Sequence, residues 1–363
     1  MNALICCVLF LKQGAESVVI QMRVCALKYL FRGRDILVVK SVAFRVAMIA
    51  FFALLVLSAQ AADIWANVPY EPTDVSMQLI KVSDHGYYVQ GPAGTPTDNN
   101  GFMSNAGVII TDEGVVVIDS LGTPSLAYLL LSKIREITDK PVVKVVVTHY
   151  HADHIYGLQV FKELGAEIIA PAGAQDYLIS DVAKGRLKQR RESLFPWVDE
   201  KTYLVKPDTC ISKETRFQLG GLDFIILPLG STHSDGDQML QIVQDKLLYS
   251  GDLIFEGRIP FVAGAKPRNW MEQLQKLDTK NLNVIVPGHG AFSQHPAEAV
   301  KFTAGYLRFL HDNMAKAVED LIPFDEAYSA MDWSRYEKMP AAQVNRMNAY
   351  YVYLALESAS VGE

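Results

Sequence analysis

Apolar positions along the chain fall into three regimes. From Val46 to Leu57 the run VAMIAFFALLVL is apolar throughout. From about residue 77 to residue 295, short β-branched runs alternate with helically spaced ones. After Ser293 the spacing is helical to the C-terminus. In the middle regime, AGVII and VVVI flank a Thr-Asp-Glu-Gly turn, which predicts a hairpin. TPSLAYLLLSKIREITDKP predicts a helix with Thr123 as N-cap, Pro124 at its first position and Leu126, Leu130, Ile134 and Ile137 on one face, stopped by Pro141. VVKVVV, residues 142 to 147, reads as a strand buried on both faces. IYGLQVFKELG then begins a helix closed by Gly165, and AEIIA is the next strand, giving a βαβ-like unit. LDFIILPLG, QMLQIV, KLLYS and LNVIV are further strands. Residues 62 to 76 read as a loose lead-in and GPAGTPTDNN, residues 91 to 100, as a surface loop. Residues 296 to 363 read as helices packed on the core, with Tyr350, Tyr351 and Tyr353 as a packing stripe.

Composition narrows the class. Of 363 residues, 50% are hydrophobic and 20% charged, enough for one large globular domain with an extension. The apolar run Val46–Leu57 has signal-peptide length, a basic flank in Lys40 and Arg45, and an A-x-A site at Ala59-Gln60-Ala61. We therefore expect residues 1–61 to be a cleaved leader, with the residues before about 40 superfluous to it. Residues 62–295 form the expected catalytic domain and 296–363 a helical extension. The destination is periplasmic or secreted, without stable membrane insertion after cleavage. Without that leader the chain holds 27 Lys/Arg against 38 Asp/Glu, a net charge of −11, which argues against a nucleic-acid partner. Three of the four cysteines go with the leader, leaving Cys210, expected to be buried. No disulfide framework and no cysteine zinc cluster remain.

The chemistry lies at the strand ends. THYHADH puts His149, His151 and His154 within six positions, out of eight histidines in the chain. Crowded imidazoles repel when charged and compete for donors when neutral, and a divalent metal relieves both. His233, Asp252 and His289 each follow a separate predicted strand. Ligands gather beyond the carboxyl ends of such strands. The set suits two ions: His149, His151 and His233 at one, Asp153, His154 and His289 at the other, with Asp252 between them. Alternate residues of H-x-H point the same way on an extended segment, and a turn then brings Asp153 and His154 toward a second ion.

With VVVIDS upstream, the motifs THYHADH, GSTHSDGD, YSGDLIF and PGHG resemble those of the metallo-β-lactamase fold superfamily, in order, over about residues 77 to 295. The resemblance implies an α/β fold, a four-layer αβ/βα sandwich with a dinuclear metal site on one edge, here carrying the helical extension. It also implies that Asp119 supports the site by orienting a ligand histidine. Asp119 and Asp153 are accordingly the candidate catalytic residues besides the ligands. Asp252 stands where the best-known zinc β-lactamases place cysteine, a pattern similar to glyoxalase II, lactonases and general hydrolases. The expected cofactor is two Zn²⁺ per chain, with iron as the alternative. Zinc would bring the pKa of a bound water toward about 7 and stabilise a developing oxyanion. The expected reaction is hydrolysis of an ester, thioester, lactone or amide in a small-molecule substrate. The alternatives are a mononuclear iron enzyme similar to persulfide dioxygenases, or a β-lactamase. Tyr150, Tyr156 and His85 are weaker candidates for contact with substrate. Arg258 is read as a solvated surface charge, with anchoring of a substrate carboxylate as the alternative.

Overall fold

The computed structural model describes residues 64–65 and 68–360. The expected signal segment, its cleavage site and the residues before it lie outside these. Among the described residues no helix is long and apolar enough to cross a membrane.

The first sheet is built from β1 (Ile80–Lys81), β2 (Gly86–Val89), β3 (Ala106–Ile110), β4 (Val115–Ile118), β5 (Val142–Val146), β6 (Glu167–Pro171) and β7 (Thr209–Ile211), paired in that order. β1 to β4 pair antiparallel and β4 to β7 parallel. Its connections carry α1 (Pro124–Arg135), α2 (Ala152–Ile155), α3 (Leu158–Glu163), α4 (Ala174–Ile179) and α5 (Asp181–Ser193). The second sheet has the order β12-β11-β10-β9-β8, with β8 (Thr215–Leu219), β9 (Leu222–Gly230), β10 (Asp237–Ile242), β11 (Leu247–Gly251) and β12 (Val284–Pro287). Only β11 and β12 pair parallel. α6 (Pro267–Lys276) joins those two strands, and α7 (Pro296–Glu319), α8 (Phe324–Ala330) and α9 (Asn345–Ser360) follow.

The two sheets share one core. Val116, Ile118 and Val146 from the first meet Phe224, Ile226, Leu240 and Tyr249 from the second. Val115 and Val117 point the other way and are also fully buried, which is why β4 is apolar at every position. The outer face of the second sheet packs Met239, Leu248 and Ile285 against Trp270 of α6, Tyr306, Leu307 and Leu310 of α7 and Val352 of α9. On the first sheet α3 lies against β5 and β6, and α1 against α3. The result is the four-layer αβ/βα sandwich that the sequence predicts, with a helical C-terminal part.

Some local expectations change. Thr123 caps α1 by accepting from Leu126 N, but the helix ends at Arg135, well before Pro141, and Ile137 is 46% exposed. The expected helix after the histidine cluster starts earlier and is broken between Ile155 and Leu158. Gly157 packs there so tightly that a Cβ would lie 2.0 Å from Ser120 O. β5 is buried on both faces toward its C-terminal end, where Val145 and Val146 are fully buried, while Val143 and Lys144 are half-buried. Cys210 is half-buried and free. Tyr353 packs against the core, whereas Tyr350 and Tyr351 are exposed. α4 and α5 were not anticipated: α5 buries only Ala183 and Leu187, too thin an apolar stripe to stand out.

The C-terminal layer reaches the loop after β11 through Asn348 of α9. Its side chain accepts from Val262 N at 2.9 Å and donates to Pro260 O at 2.7 Å and to the Tyr306 hydroxyl at 2.9 Å. Asn348→Ala should cost about 1–3 kcal/mol in a denaturant titration, because it orphans fully buried backbone groups. A change within about 0.5 kcal/mol, the usual range for surface substitutions, would show that the loop holds its shape without this clamp.

Candidate metal centre

The C-terminal ends of β4, β5, β9, β11 and β12 meet at one edge of the sandwich. Asp119 follows β4, His149 and His151 follow β5, His233 follows β9, Asp252 follows β11 and His289 follows β12. Asp153 and His154 sit on the single turn of α2. The structure thus brings together all seven residues that the sequence pattern singled out for metal. His149, His151, His233 and Asp252 form one group that could hold an ion, and Asp153, His154 and His289 another.

The contacts behind the rings fix which ring nitrogens carry hydrogen. His154 Nδ1 donates to Asp119 Oδ2 at 2.8 Å. Asp119 Oδ2 also accepts from the Thr148 hydroxyl at 2.8 Å, and Oδ1 accepts from Thr148 N at 2.7 Å. With its hydrogen committed to Asp119, Thr148 Oγ1 is left to accept from His149 Nδ1 at 3.0 Å. His233 Nδ1 donates to Phe261 O at 3.1 Å and His289 Nδ1 to Met103 O at 2.8 Å. Four Nε2 atoms therefore turn inward as lone pairs. His151 offers Nδ1 instead, 3.1 Å from His149 Nε2 and 3.0 Å from His233 Nε2. Asp252 Oδ1 lies 3.4 Å from His154 Nε2, and its Oδ2 lies 3.4 Å from His233 Nε2 and 3.3 Å from His289 Nε2. Asp153 Oδ2 is 3.2 Å from His289 Nε2.

Acceptors thus face acceptors, and His154 Nε2 and Asp252 Oδ1 are buried with no hydrogen-bond partner. Such a cluster needs cations at its centre, so nitrogen and oxygen donors in this arrangement fit borderline divalent ions such as zinc. Backbone closeness holds the carboxylate: a Cβ on Gly288 would lie 2.0 Å from Asp252 Oδ1. Asp119 itself takes a left-handed backbone, φ +58°, uncommon outside glycine.

Without metal, protons answer part of the demand. Burial opposes charge on His154, but Asp252, Asp153 and Asp119 outweigh it and pull the ring up to about 10. Burial likewise opposes charge on His289, and Asp252 and Asp153 pull it up to about 9. Burial pushes His151 down to about 4, helped by His233, and keeps His149 and His233 low. Burial would raise Asp252 and Asp153, yet the surrounding imidazoles hold both below the ordinary carboxylate range.

Other residues fall differently. Arg258 is buried at 8% exposure, not solvated, and its Nε lacks a partner. Burial depresses its pKa, with Asp252 and Asp153 opposing. Its chain position, six residues after Asp252, was the only available signal. His85 pairs with Asp245 at 2.8 Å, beside the start of β11 and away from Asp252 at its end. Tyr156 is buried with its hydroxyl unpartnered. Tyr150 lines a cavity of about 590 Å³ beside His151 and His233, together with Tyr177, Arg186 and Arg190 of the unanticipated helices. Sequence reading also missed Asn105, which donates to Pro287 O and Gly290 O, both at 2.8 Å, and so holds the loop bearing His289.

The model for the metallo-beta-lactamase superfamily matches residues 99–289. The chain belongs to this superfamily. It is 25% identical over 192 residues to the metallo-beta-lactamase type 2 of Bacillus cereus, covering 52% of this chain and 67% of that protein. It is 22% identical over 255 residues to the linear primary-alkylsulfatase of Pseudomonas sp. (strain ATCC 19151), covering 60% of this chain and 48% of the relative. A metallo-beta-lactamase from Pontibacter korlensis superposes with a TM-score of 0.51 at 20% identity, over 64% of this chain and 99% of that one. The sec-alkylsulfatase Pisa1 from Pseudomonas sp. does so with a TM-score of 0.57 at 19% identity, over 77% and 50%. The chain thus spans about half the length of the alkylsulfatases it matches. As a member of the superfamily it is a metal-dependent hydrolase.

Metal should displace the protons on His154 and His289. Loading the chelator-stripped protein with zinc near pH 7.5 should release roughly two protons per chain, read with a pH indicator in weak buffer, and affinity should weaken as pH falls. Loading without proton release would mean that both rings are neutral beforehand.

Proposed function

We propose that this protein is an exported dinuclear zinc hydrolase acting on an ester, thioester, lactone or amide bond of a small organic substrate. The observation that carries this reading is the convergence of seven acceptor side chains on one buried point, with His154 Nε2 and Asp252 Oδ1 left unpartnered. His149, His151 and His233 would hold one ion and Asp153, His154 and His289 the other. Asp252 would span them, which suits its Oδ1 facing His154 and its Oδ2 facing His233. Zinc held there supplies an acidified water and a Lewis acid toward the substrate oxygen.

The protein's own groups do the rest. Asp119 keeps the hydrogen of His154 on Nδ1 and, through Thr148, that of His149 on Nδ1. Phe261 O and Met103 O do the same for His233 and His289. Asp153 has a side chain 22% exposed against 4% for Asp252. It is the more solvent-accessible of the two carboxylates, and as a carboxylate held in its charged form it would accept a hydrogen bond from the attacking water and orient it. An aspartate at position 252, where the best-known zinc β-lactamases resemble this chain but place cysteine, supports ester-type substrates over β-lactams. The run Val46–Leu57 followed by Ala59-Gln60-Ala61 supports export.

Elemental analysis of the purified protein should find two zinc ions per chain. Asp252→Ala should lose or misplace one of them and cut activity by orders of magnitude, with circular dichroism unchanged. One iron and no zinc would overturn the reading in favour of a single-iron oxygenase. A panel of aryl esters, thioesters, lactones, an aryl sulfate and a chromogenic cephalosporin should favour the esters and thioesters. A cephalosporin kcat/KM near 10⁶ M⁻¹s⁻¹, inside the roughly 10⁴–10⁸ range of evolved enzymes, would instead make it a β-lactamase. N-terminal sequencing of the protein from its native host should begin near Ala62, and a mature chain that retains Lys40 and Arg45 would exclude cleavage at the predicted site.

A further inference from the structure

We infer that the cavity beside the metal centre takes substrates that carry an oxyanion, gripped by Arg190 and Arg186 of α5, with an apolar portion laid along Tyr177 and Val182. This rests on the hydrolase reading and narrows its substrate class.

The two arginines lie four residues apart, on one face of the helix, and both line the cavity. Like charges at that spacing oppose each other, so holding them together costs stability unless an anion joins them. Neither guanidinium makes a hydrogen bond or ion pair with any described residue. Two carboxylates also line the cavity, but neither neutralises the pair: Asp235 accepts from the Ser231 hydroxyl at 3.1 Å, and Asp176 is exposed. Arg190 is half-buried, and burial weakens its hold on its proton. Asp153 opposes that effect, and the cavity that Arg190 lines is also lined by His151 and His233 of the metal centre.

Part of the wall is apolar, formed by Tyr150, Tyr177, Val182 and Phe261. Tyr150 stacks on Tyr177 with centroids 4.5 Å apart, and Val182, 68% exposed, is one of the large apolar side chains left uncovered. About 590 Å³ is room for a drug-sized molecule. The planar fork of arginine matches a carboxylate, sulfate or phosphate equally, so the shared chemistry is the oxyanion.

The test uses zinc-loaded enzyme and matched 4-nitrophenyl esters, one neutral and one carrying a terminal carboxylate, with 4-nitrophenyl sulfate and phosphate as further arms. The wild type should prefer the carboxylated ester over the neutral one by about tenfold in kcat/KM, the scale of one charge-assisted contact. Arg190→Gln should collapse that ratio through KM for the charged ester, and Arg190→Lys should restore part of it. Faster cleavage of the sulfate or the phosphate than of either ester would make that group itself the reacting oxyanion. A ratio near one in the wild type, or a ratio unchanged in Arg190→Gln and in the Arg186→Gln, Arg190→Gln double variant, overturns the proposal. Glutamine suits this exposed helix, and metal content checks each variant's centre. Should no ester, sulfate or phosphate be cleaved, the hydrolase reading fails while the anion site is still read. Calorimetric binding of the non-hydrolysable anion 4-nitrobenzenesulfonate should weaken about tenfold in Arg190→Gln, and equal binding to both proteins overturns the site.

Discussion

Everything at the open edge of this sandwich follows from one electrostatic fact: lone pairs on five histidines and two aspartates are turned toward the same small volume. Left alone, that arrangement is unfavourable. The protein imposes it from behind, by giving each Nδ1 hydrogen of His149, His154, His233 and His289 an acceptor on the far side of its ring. Those acceptors, not the ring positions alone, decide that the inward atoms are bases. The cluster then demands positive charge, and the raised basicity of His154 and His289 is the metal-free answer to that demand.

The four layers exist to hold those acceptors still. Asp119 and Thr148 belong to the ends of neighbouring parallel strands in the first sheet, so the register of β4 on β5 sets the His149 and His154 rings together. Met103 O comes from the segment before β3, and Phe261 O from the loop that Asn348 ties down from the C-terminal helices. The helical part is therefore mechanically continuous with the centre: from α9 to the loop, from the loop carbonyl to His233.

Much of this was legible in the sequence because chemistry and burial alternate sharply there. Apolar runs end abruptly at His149, His233, Asp252 and His289, and a strand end is one of few places where a polar residue can face a site without cost to the core. Asp119 was visible only through the resemblance; no spacing rule links it to His154. Arg258 was misread because a lone arginine after a turn looks solvated, and its burial arises from packing beside Gly290 and Glu256 that no local pattern encodes. α4 and α5 were invisible for the opposite reason. They bury so little that their periodicity is faint, and the side chains that matter on them are the ones that face outward.

That contrast divides the molecule into parts with different freedom to change. Gly288 leaves no room for even one carbon beside Asp252, and Gly157 none beside Ser120, so drift at the ligand cradle is closed off by backbone contact. The wall formed by α4 and α5 is made of side chains that touch few neighbours and can be exchanged at small cost to the fold. A lineage built on this chain could hold its hydrolytic chemistry constant while rewriting a single helix pair, and acquire new substrates without passing through an unfolded ancestor.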